Sequence, residues 1–364
     1  MNEQKPNWTR EEILAVYNRP MMELLYDAAT VHRKHHNPNT VQVSTLLSIK
    51  TGGCPEDCGY CPQAARYHTD IEGNDLMTVS HVKAQALRAK AAGSSRVCMG
   101  AAWRNVKDGP EFDQVLEMVR TINKLDMEVC CTLGMLTENQ ARRLAEAGLY
   151  AYNHNLDTSE DYYRDVISTR AYKDRLDTIA NVRKSNVTVC SGGIIGMGER
   201  LEDRADMLLA LATLYPQPES VPINALVAVE GTPMANMEPI PIWDMVRMVA
   251  TTRIVLPETQ VRLSAGRTEM NREGQALCFF AGANSIFAGD KLLTTPNPDV
   301  GEDMEMFRLL GLSPQEPFVK APQPLTVEAD ESRIQPLGEK PRWTRPAHSI
   351  ERNQTTSMRT KRSG

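Results

Sequence analysis

Residues 41–62 read Val41-Gln-Val-Ser-Thr-Leu-Leu-Ser-Ile-Lys-Thr-Gly-Gly-Cys-Pro-Glu-Asp-Cys-Gly-Tyr-Cys-Pro62, an apolar run that passes directly into a loop with three cysteines. The β-branched and apolar residues predict a strand over 41–49. Glycine and proline surround Cys54, Cys58 and Cys61, so the backbone can turn all three sulfurs toward one point. Thiolates are soft ligands that select iron–sulfur clusters, zinc or cuprous copper, and the stretch therefore predicts a metal centre at the end of a strand.

The Cys-x3-Cys-x2-Cys spacing narrows the choice of metal. Structural zinc sites usually pair their ligands as Cys-x2-Cys with a second pair further on, and no second pair follows in this sequence. In bacterial ferredoxin clusters two residues, and not three, separate the first cysteine from the second. The alternatives are a redox disulfide pair or a zinc knuckle, and neither explains three thiols without a further pair. Three thiolates leave one iron of a four-iron cluster without a protein ligand, and such an iron can bind a substrate.

The composition is that of a folded, mildly acidic protein. Of its 364 residues 41% are hydrophobic, which is enough for a large core, and the net charge of −5 gives no reason to expect a nucleic-acid partner. No apolar run reaches the roughly 20 residues that a membrane span needs, and the first residues lack the apolar segment of a signal peptide. Eight cysteines in such a chain indicate metal binding in a reducing compartment. We therefore expect a cytoplasmic protein with no membrane partner.

Strands and helices alternate along residues 41–315. Because such an alternation builds parallel βαβ units, eight strands predict a (β/α)8 barrel of the TIM type, and a doubly wound open sheet is the alternative. The glycines of Gly192–Glu199, which follows the fifth strand, either let the backbone approach a ligand closely or form a tight strand–helix turn. The eight strands are predicted at residues 41–49, 95–99, 127–131, 149–153, 187–190, 222–229, 261–264 and 285–287.

Two segments flank the predicted barrel. Residues 1–40 carry apolar residues at helical spacing and predict an N-terminal helical extension, in which Thr9 caps the first helix. Residues 316–364 are rich in proline and in basic residues, and they predict a flexible, disordered C-terminal tail without a function of its own.

Unusual polar residues fall where the predicted strands end, which is where the active-site residues of such a barrel lie. Cys98, Cys190 and one of Cys130 and Cys131 could supply a second metal site, although a single cysteine in an apolar strand is usually a small buried hydrophobe. Neighbours on a strand point to opposite faces, and the alternation alone does not decide which of the two faces inward. Arg262 stays protonated, so its own chemistry predicts an anion clamp and not a metal ligand.

The loop after the fourth strand adds weaker signals. Asn155 and Asp157 are short polar side chains that either form a turn or contact a ligand. We expect His154 to have a structural role and not to act as a base. Cys278 lies among apolar residues on a predicted helix and is expected in the core.

The longer motifs resemble those of the biotin synthases, a family of radical S-adenosylmethionine enzymes. The resemblance covers roughly residues 40–315, and no family motif follows in the tail. It rests on Cys54-Pro-Glu-Asp-Cys58-Gly-Tyr-Cys61-Pro-Gln, Arg96-Val-Cys98-Met-Gly-Ala-Ala-Trp103, Thr132-Leu-Gly134, Tyr152-Asn-His-Asn-Leu-Asp-Thr158, Val189-Cys190-Ser-Gly-Gly193, Glu219-Ser-Val-Pro-Ile-Asn224, Val261-Arg-Leu-Ser-Ala-Gly-Arg267 and Leu292-Leu-Thr-Thr295.

The resemblance implies two iron–sulfur clusters. The loop trio Cys54, Cys58 and Cys61 would hold a [4Fe–4S] cluster whose fourth iron binds S-adenosylmethionine. The family pattern Cys-x-Thr-Leu-Gly puts Cys131 at the variable position and so selects Cys130. The implied ligands of a [2Fe–2S] cluster are Cys98, Cys130, Cys190 and Arg262. The implied contacts to dethiobiotin or S-adenosylmethionine are Tyr60, Asn155, Asp157, Gly192, Glu199 and Asn224.

The implied activity is the last step of biotin biosynthesis, a sulfurtransferase reaction that inserts sulfur into dethiobiotin. No protein acid or base is implied, because breaking unactivated C–H bonds requires a cofactor. The resemblance also implies a flavodoxin-type reductase as electron donor and a homodimer. A different radical enzyme of the superfamily would keep the cysteine loop but need not use the other thiols. A passive iron–sulfur carrier would need no cavity lined with Asn155, Asp157 and Asn224.

Overall fold

The computed structural model describes residues 8–289 and 291–318, and it contains a closed barrel of eight parallel strands surrounded by helices. The prediction of a TIM-type barrel is therefore confirmed, and the open sheet is excluded. The first strand closes the barrel because it pairs with both the second and the last barrel strand: Leu46 lies beside Cys98, and Ser44 lies beside Phe287.

The structure contains all eight predicted strands, with two short strands in addition. The strands are β1 (Thr40–Lys50), β2 (Arg96–Ala101), β3 (Glu128–Thr132), β4 (Ala151–Asn153), β5 (Thr188–Cys190), β6 (Gly193–Ile195), β7 (Ser220–Ala225), β8 (Gln260–Leu263), β9 (Ser285–Ala288) and β10 (Ser313–Pro314). The helices are α1 (Arg10–Tyr17), α2 (Met21–His35), α3 (Val79–Ala91), α4 (Pro110–Asn123), α5 (Glu138–Glu146), α6 (Tyr163–Val166), α7 (Tyr172–Lys184), α8 (Leu201–Thr213), α9 (Ile242–Val255), α10 (Arg272–Phe280) and α11 (Val300–Leu310).

The region after the fifth strand differs from the prediction. Gly193–Ile195 forms β6, which pairs with β7 so that Ile194 lies beside Asn224. The glycines of this segment predicted a tight turn or a close backbone approach to a ligand, and not a strand. Gly193 is nevertheless needed here, since a Cβ at this position would lie 2.6 Å from the carbonyl oxygen of Asp157. The predicted strand over 222–229 begins at Ser220 and ends at Ala225.

Two helices precede the barrel and pack on its outer face. Thr9 caps α1 as predicted, and its hydroxyl accepts a hydrogen bond from the Glu12 backbone N–H at 3.2 Å. Helix α1 packs against α8 and α9, and α2 packs against α9. The predicted tail, residues 316–364, lies outside the described residues from 319 onward. Within the described ranges, no helix has both the length and the apolar character that crossing a membrane requires.

Side-chain alternation along the strands separates an inner group from the outer core. Cys98 and Cys130 pack inside the barrel with Ala151, Phe287 and Leu292. Cys131 and Cys278 belong to the larger core that includes the helices, which confirms the prediction for Cys278. Cys130 therefore faces the barrel axis and Cys131 faces the helices.

An unpredicted helix, α11, is tied to the end of β8 by a buried ion pair. Arg267 Nη1 donates to Asp303 Oδ2 at 3.2 Å, and both side chains are at most 1% exposed. We expect Asp303→Asn to lower the free energy of unfolding by about 3 kcal/mol, because it leaves a buried guanidinium without its counter-charge. Urea-induced unfolding of the full chain measures the change.

Glu305→Gln is the matched control for this prediction. Its partner Arg272 is more than half exposed, so the change should stay below about 0.5 kcal/mol. Equal losses in the two variants would contradict the assignment of the buried pair.

Candidate active site

A cavity of about 320 Å³ lies at the carboxyl ends of the barrel strands, and we call it the upper cavity. Active sites of parallel barrels form at this end, where the loops after the strands converge. Of the residues predicted for the site, it is lined by Cys54, Cys58, Tyr60, Cys61, Cys98, Cys130, Asn155, Asp157, Asn224 and Arg262. Ten of the thirteen predicted residues therefore meet at one cavity, and the exceptions are Cys190, Gly192 and Glu199.

The cysteine loop leaves β1 through two glycines with left-handed backbone, Gly52 and Gly53, whose φ angles are 75° and 70°. The loop then folds back on itself: the Cys54 N–H donates to the Gln63 carbonyl at 3.0 Å, and the Cys61 N–H donates to the Cys58 carbonyl at 2.9 Å. These backbone bonds make the loop compact, and all three of its cysteines line the upper cavity.

Asp57 fixes the cysteine loop to the segment that follows α6. Its carboxylate accepts hydrogen bonds from the backbone N–H groups of Ser168 and Thr169 at 2.9 and 3.0 Å. Burial opposes ionisation, but these bonds and those from the Ser168 and Thr169 hydroxyls outweigh it and lower the pKa of Asp57 to about 2. The loop is therefore held to the opposite side of the barrel mouth by a permanently charged clamp.

The chemistry of the loop thiols suits an iron–sulfur cluster. Burial raises the pKa of Cys58 to about 11 and that of Cys61 to about 12, so metal binding would release protons. Within residues 8–289 and 291–318, no three His, Cys, Asp or Glu side chains lie close enough together to hold one ion. In a cluster each thiolate binds a different iron, so its ligands need not converge on one point.

A second group of thiols lies deeper in the barrel and shares its space with Arg262. Arg262 Nη1 lies 3.9 Å from Cys190 Sγ, and Nη2 donates to the Gln42 side-chain carbonyl at 3.0 Å. Arg262 Nε donates to the Ser285 hydroxyl at 2.9 Å. Among the described residues, the guanidinium therefore contacts neutral side chains and a thiol, and no carboxylate.

The inner thiols, which we define as Cys98, Cys130 and Cys190, lie in a positive environment. A hydrogen bond from Cys130 lowers the pKa of Cys98 to about 7, and the cations of Arg262 and Arg96 add to this effect against burial. Cys98 and Cys130 also pair in register on β2 and β3. Cys98, Cys130 and the Arg262 side chain therefore line one cavity inside the barrel, and such a set of thiols could hold a metal centre.

Asp157 is the most constrained polar residue of the upper cavity. Its φ angle of 70° is left-handed, and β-bridge pairing with Gly193 holds that backbone in place. The carboxylate accepts a hydrogen bond from the Tyr60 hydroxyl at 3.0 Å and a short one from Arg175. A strained residue that is held this firmly is a candidate ligand-binding residue.

The two predicted asparagines organise the loops around the cavity. Asn155 Oδ1 accepts a hydrogen bond from the Gly192 N–H at 3.2 Å, and Asn224 Nδ2 donates to the Gly193 carbonyl at 2.9 Å. A Cβ on Gly192 would lie 2.0 Å from the Pro222 carbonyl oxygen, so close backbone approach explains this glycine.

Glu199 lies outside the cavity lining, and its carboxylate is fully used by its own turn. It accepts from the backbone N–H groups of Gly196 and Met197 and from Arg204 Nε at 2.7 Å. The glycine-rich segment reaches the cavity through Ile194.

Several cavity residues gave no signal in the sequence. Arg175 donates to the Asn155 carbonyl at 2.9 Å as well as to Asp157, yet it lies on a predicted helix where arginine is ordinarily solvent-exposed. Glu56 and Arg170 line the cavity beside Cys54, and both are buried. Glu56 is part of the cysteine loop itself, whereas Arg170 reaches the site because the 168–169 backbone is bonded to Asp57.

His154 is buried beside this group, and its ring stacks on Tyr152 with the centroids 6.3 Å apart. Burial lowers the pKa of His154 well below its usual value, so the ring stays neutral. This environment agrees with the structural role that we predicted.

Comparisons with known proteins identify the class to which this fold and site belong. A model of the radical SAM superfamily matches residues 48–211, and a model of the Biotin and Thiamin Synthesis associated domain matches residues 222–313. The fold is shared with methylornithine synthase, at a TM-score of 0.71 and 18% identity over 85% of this chain and 94% of that one. It is also shared with a maturase of the [FeFe]-hydrogenase, at 0.72 and 17% over 85% and 72%. The chain is a radical S-adenosylmethionine enzyme with an iron–sulfur cluster.

Curated relatives define the family more narrowly. The biotin synthase of Flavobacterium psychrophilum is 79% identical over 97% of this chain and 98% of its own length. That of Christiangramia forsetii is 81% identical over 96% of each chain. That of Nostoc punctiforme is 58% identical over 85% of this chain and 94% of its own length. The chain belongs to the biotin synthase family.

The clamp at Asp57 gives a prediction for the stability of the cysteine loop. Asp57→Ala leaves the N–H groups of Ser168 and Thr169 without their acceptor, so we expect a loss of about 1–3 kcal/mol in the free energy of unfolding near pH 7. The folded pKa lies below the unfolded value of 3.8, so the contribution is present above that value and is lost as the pH falls toward about 2. Urea unfolding between pH 7 and pH 3 measures the difference between variant and wild type.

Asp70→Ala serves as the control, because Asp70 is exposed. Its effect should be near zero at every pH. A difference between Asp57→Ala and wild type that grows as the pH falls from 4 would contradict the assignment.

Proposed function

We propose that this member of the biotin synthase family converts dethiobiotin into biotin by radical-mediated insertion of sulfur, with S-adenosylmethionine as co-substrate. The observation that carries the proposal is that two separate sets of cysteines lie one above the other along the barrel axis. The loop cysteines lie at the mouth of the upper cavity, and Cys98, Cys130 and Arg262 line the same cavity from below. A substrate in this cavity would lie between the two groups.

The residues present suit two different clusters. Cys54, Cys58 and Cys61 would hold a [4Fe–4S] cluster with one iron free for S-adenosylmethionine. The inner thiols and Arg262 would hold a [2Fe–2S] cluster. When bound, the clusters supply the electron that cleaves S-adenosylmethionine and the sulfur atom that enters the product.

The polar residues of the upper cavity would bind and orient the two small molecules. Asp157, held by Tyr60 and Arg175, presents a charged acceptor that suits the hydroxyl groups of the nucleoside ribose. Asn155 would contact the nucleoside or dethiobiotin, and Asn224 would contact dethiobiotin. Gly192 and Glu199 would act indirectly, through the β6 segment that brings Ile194 to the cavity.

The barrel wall would protect reactive species from water. Phe287 and Leu292 line the upper cavity next to Arg262, and both are buried. An apolar wall excludes water, which lowers the chance that a substrate radical is quenched before it reacts.

The state of the cysteines indicates the compartment in which the reaction would take place. All eight cysteines are free in the structure, which suits a reducing compartment such as the cytoplasm. A flavodoxin-type reductase as electron donor and a homodimer stay predictions from the family resemblance.

Anaerobic reconstitution with iron and sulfide, followed by assay with dethiobiotin, S-adenosylmethionine and a reductant, tests the proposal. We expect two spectrally distinct clusters, together with formation of deoxyadenosine and biotin. Deoxyadenosine without biotin would favour another radical enzyme of the superfamily. Neither product would favour a passive iron–sulfur carrier.

Cys130 and Cys131 point to opposite sides of their strand, so their alanine variants should differ in cluster content. Cys130→Ala should lose the second cluster, because Cys130 lines the cavity. Cys131→Ala should keep it and lose only about 1 kcal/mol of stability, since Cys131 packs against the helices. Absorption and Mössbauer spectra after reconstitution measure cluster content, and the reverse pattern would contradict the ligand assignment.

A further inference from the structure

The barrel has a second cavity at its other end. It lies at the amino ends of the strands, has a volume of about 980 Å³, and we call it the lower cavity. Tyr215, which is 71% exposed, lines it, so the cavity reaches the protein surface. It is about three times larger than the upper cavity, and neither the family comparison nor the proposed reaction uses it.

The floor of the lower cavity lies one inward-facing layer below the proposed ligands of the second cluster. Successive inward residues of a strand are two apart and about 7 Å from one another along it. Four residues that line the cavity precede the four ligands by two positions, each on the same strand. These floor residues are Arg96 before Cys98, Glu128 before Cys130, Thr188 before Cys190, and Gln260 before Arg262.

The floor is polar, where a parallel barrel ordinarily packs branched apolar side chains. Arg96 Nε donates to Glu128 Oε2 at 2.7 Å, and both side chains are at most 5% exposed. Gln42 bridges this pair to the metal-binding layer, since it contacts Glu128 at 3.4 Å and accepts from Arg262 at 3.0 Å. A buried ion pair contributes little net stability, so its presence at this position calls for another explanation.

One wall of the cavity ends in a hydroxyl group beside an inner thiol. Ser220 lines the cavity and pairs in register with Cys190. Its hydroxyl is buried beside the Cys190 thiol, so a small polar ligand that reaches this wall meets two polar groups next to each other.

We propose that the lower cavity is an entrance through which small inorganic ions, hydrosulfide and ferrous iron, reach the inner thiols. The inference rests on the proposed function, in which sulfur leaves the inner layer with each product and must be replaced. In the proposed function the substrates occupy the upper cavity and would block it. Ions entering there would also meet the three loop thiols first. The lower cavity avoids both obstacles, and its floor carries the buried Arg96–Glu128 pair, in which Glu128 Oε1 also accepts from the Phe318 N–H at 2.8 Å.

Blocking each cavity with a single tryptophan tests the passage without any cluster. Gln260 lines the lower cavity and Leu293 lines the upper one. Methyl methanethiosulfonate is added to the metal-free full chain under anaerobic conditions, and mass spectrometry follows the modification of Cys190. We expect Gln260→Trp to slow it about tenfold or more, because access then needs local opening of the fold. Leu293→Trp should change it by less than about twofold.

Two results would overturn the proposed entrance. One is an unchanged rate of Cys190 modification in Gln260→Trp, and the other is a slower rate in Leu293→Trp alone. Should circular dichroism show that Gln260→Trp does not fold, Gln260→Ala decides instead. It widens the cavity, so a faster modification of Cys190 supports the entrance and an unchanged rate refutes it.

Rebuilding of the second cluster separates this inference from the proposed function. Iron and sulfide are added to protein that holds the first cluster, with S-adenosylmethionine and dethiobiotin at saturation. We expect Gln260→Trp to form the second cluster about tenfold more slowly than wild type and in the same final amount. Equal rates would refute the entrance and leave the proposed function intact. Absence of the second cluster in both proteins would refute the proposed function, whereas the modification of Cys190 would still test the passage.

Discussion

The structure depends on one constraint: a closed parallel barrel fixes which side chains meet on its axis. Such barrels ordinarily fill that axis with branched apolar residues. Here thiols, hydroxyls, amides and three charged groups occupy it, and charged groups are expensive to bury unless they are paired or hydrogen-bonded. Arg96 is paired with Glu128, and Arg262 is satisfied by Gln42 and Ser285. The barrel thus gives up part of its apolar core to build a polar column along its axis.

The column has a consistent order from one end to the other. An ion pair lies at the amino ends of the strands, the inner thiols and Arg262 lie in the middle, and the loop cysteines lie above the carboxyl ends. Asp57 ties the cysteine loop to the far side of the mouth, and Asp157 is held between Tyr60 and Arg175 on the same side. Rigid support of this kind suits a site in which two small molecules must be held between two metal centres.

Two distantly similar proteins share the barrel. Methylornithine synthase and the hydrogenase maturase share the fold at below 20% sequence identity. The barrel by itself therefore does not define the function. The positions of Cys98, Cys190 and one of Cys130 and Cys131 at strand ends predicted a second metal site, and the resemblance to the biotin synthases selected Cys130 and added Arg262. The curated relatives compared above, at 58–81% identity, belong to that family. Function is therefore carried by the residues on the axis and at the mouth, on a scaffold of wider use.

The sequence by itself determined the cysteine loop and the alternation of eight strands with helices, because these follow from spacing and periodicity within short stretches. Its longer motifs carried the resemblance to the biotin synthases. Tertiary structure decided that Cys130 faces the axis, since strand alternation leaves the choice between neighbours open until the barrel closes. It also decided the contact of Arg175 with Asp157, the strand over Gly193–Ile195 and the anchoring of α11 through Arg267. Each of these depends on partners that are distant in sequence or on backbone approaches that only the closed barrel creates, and no local pattern records them.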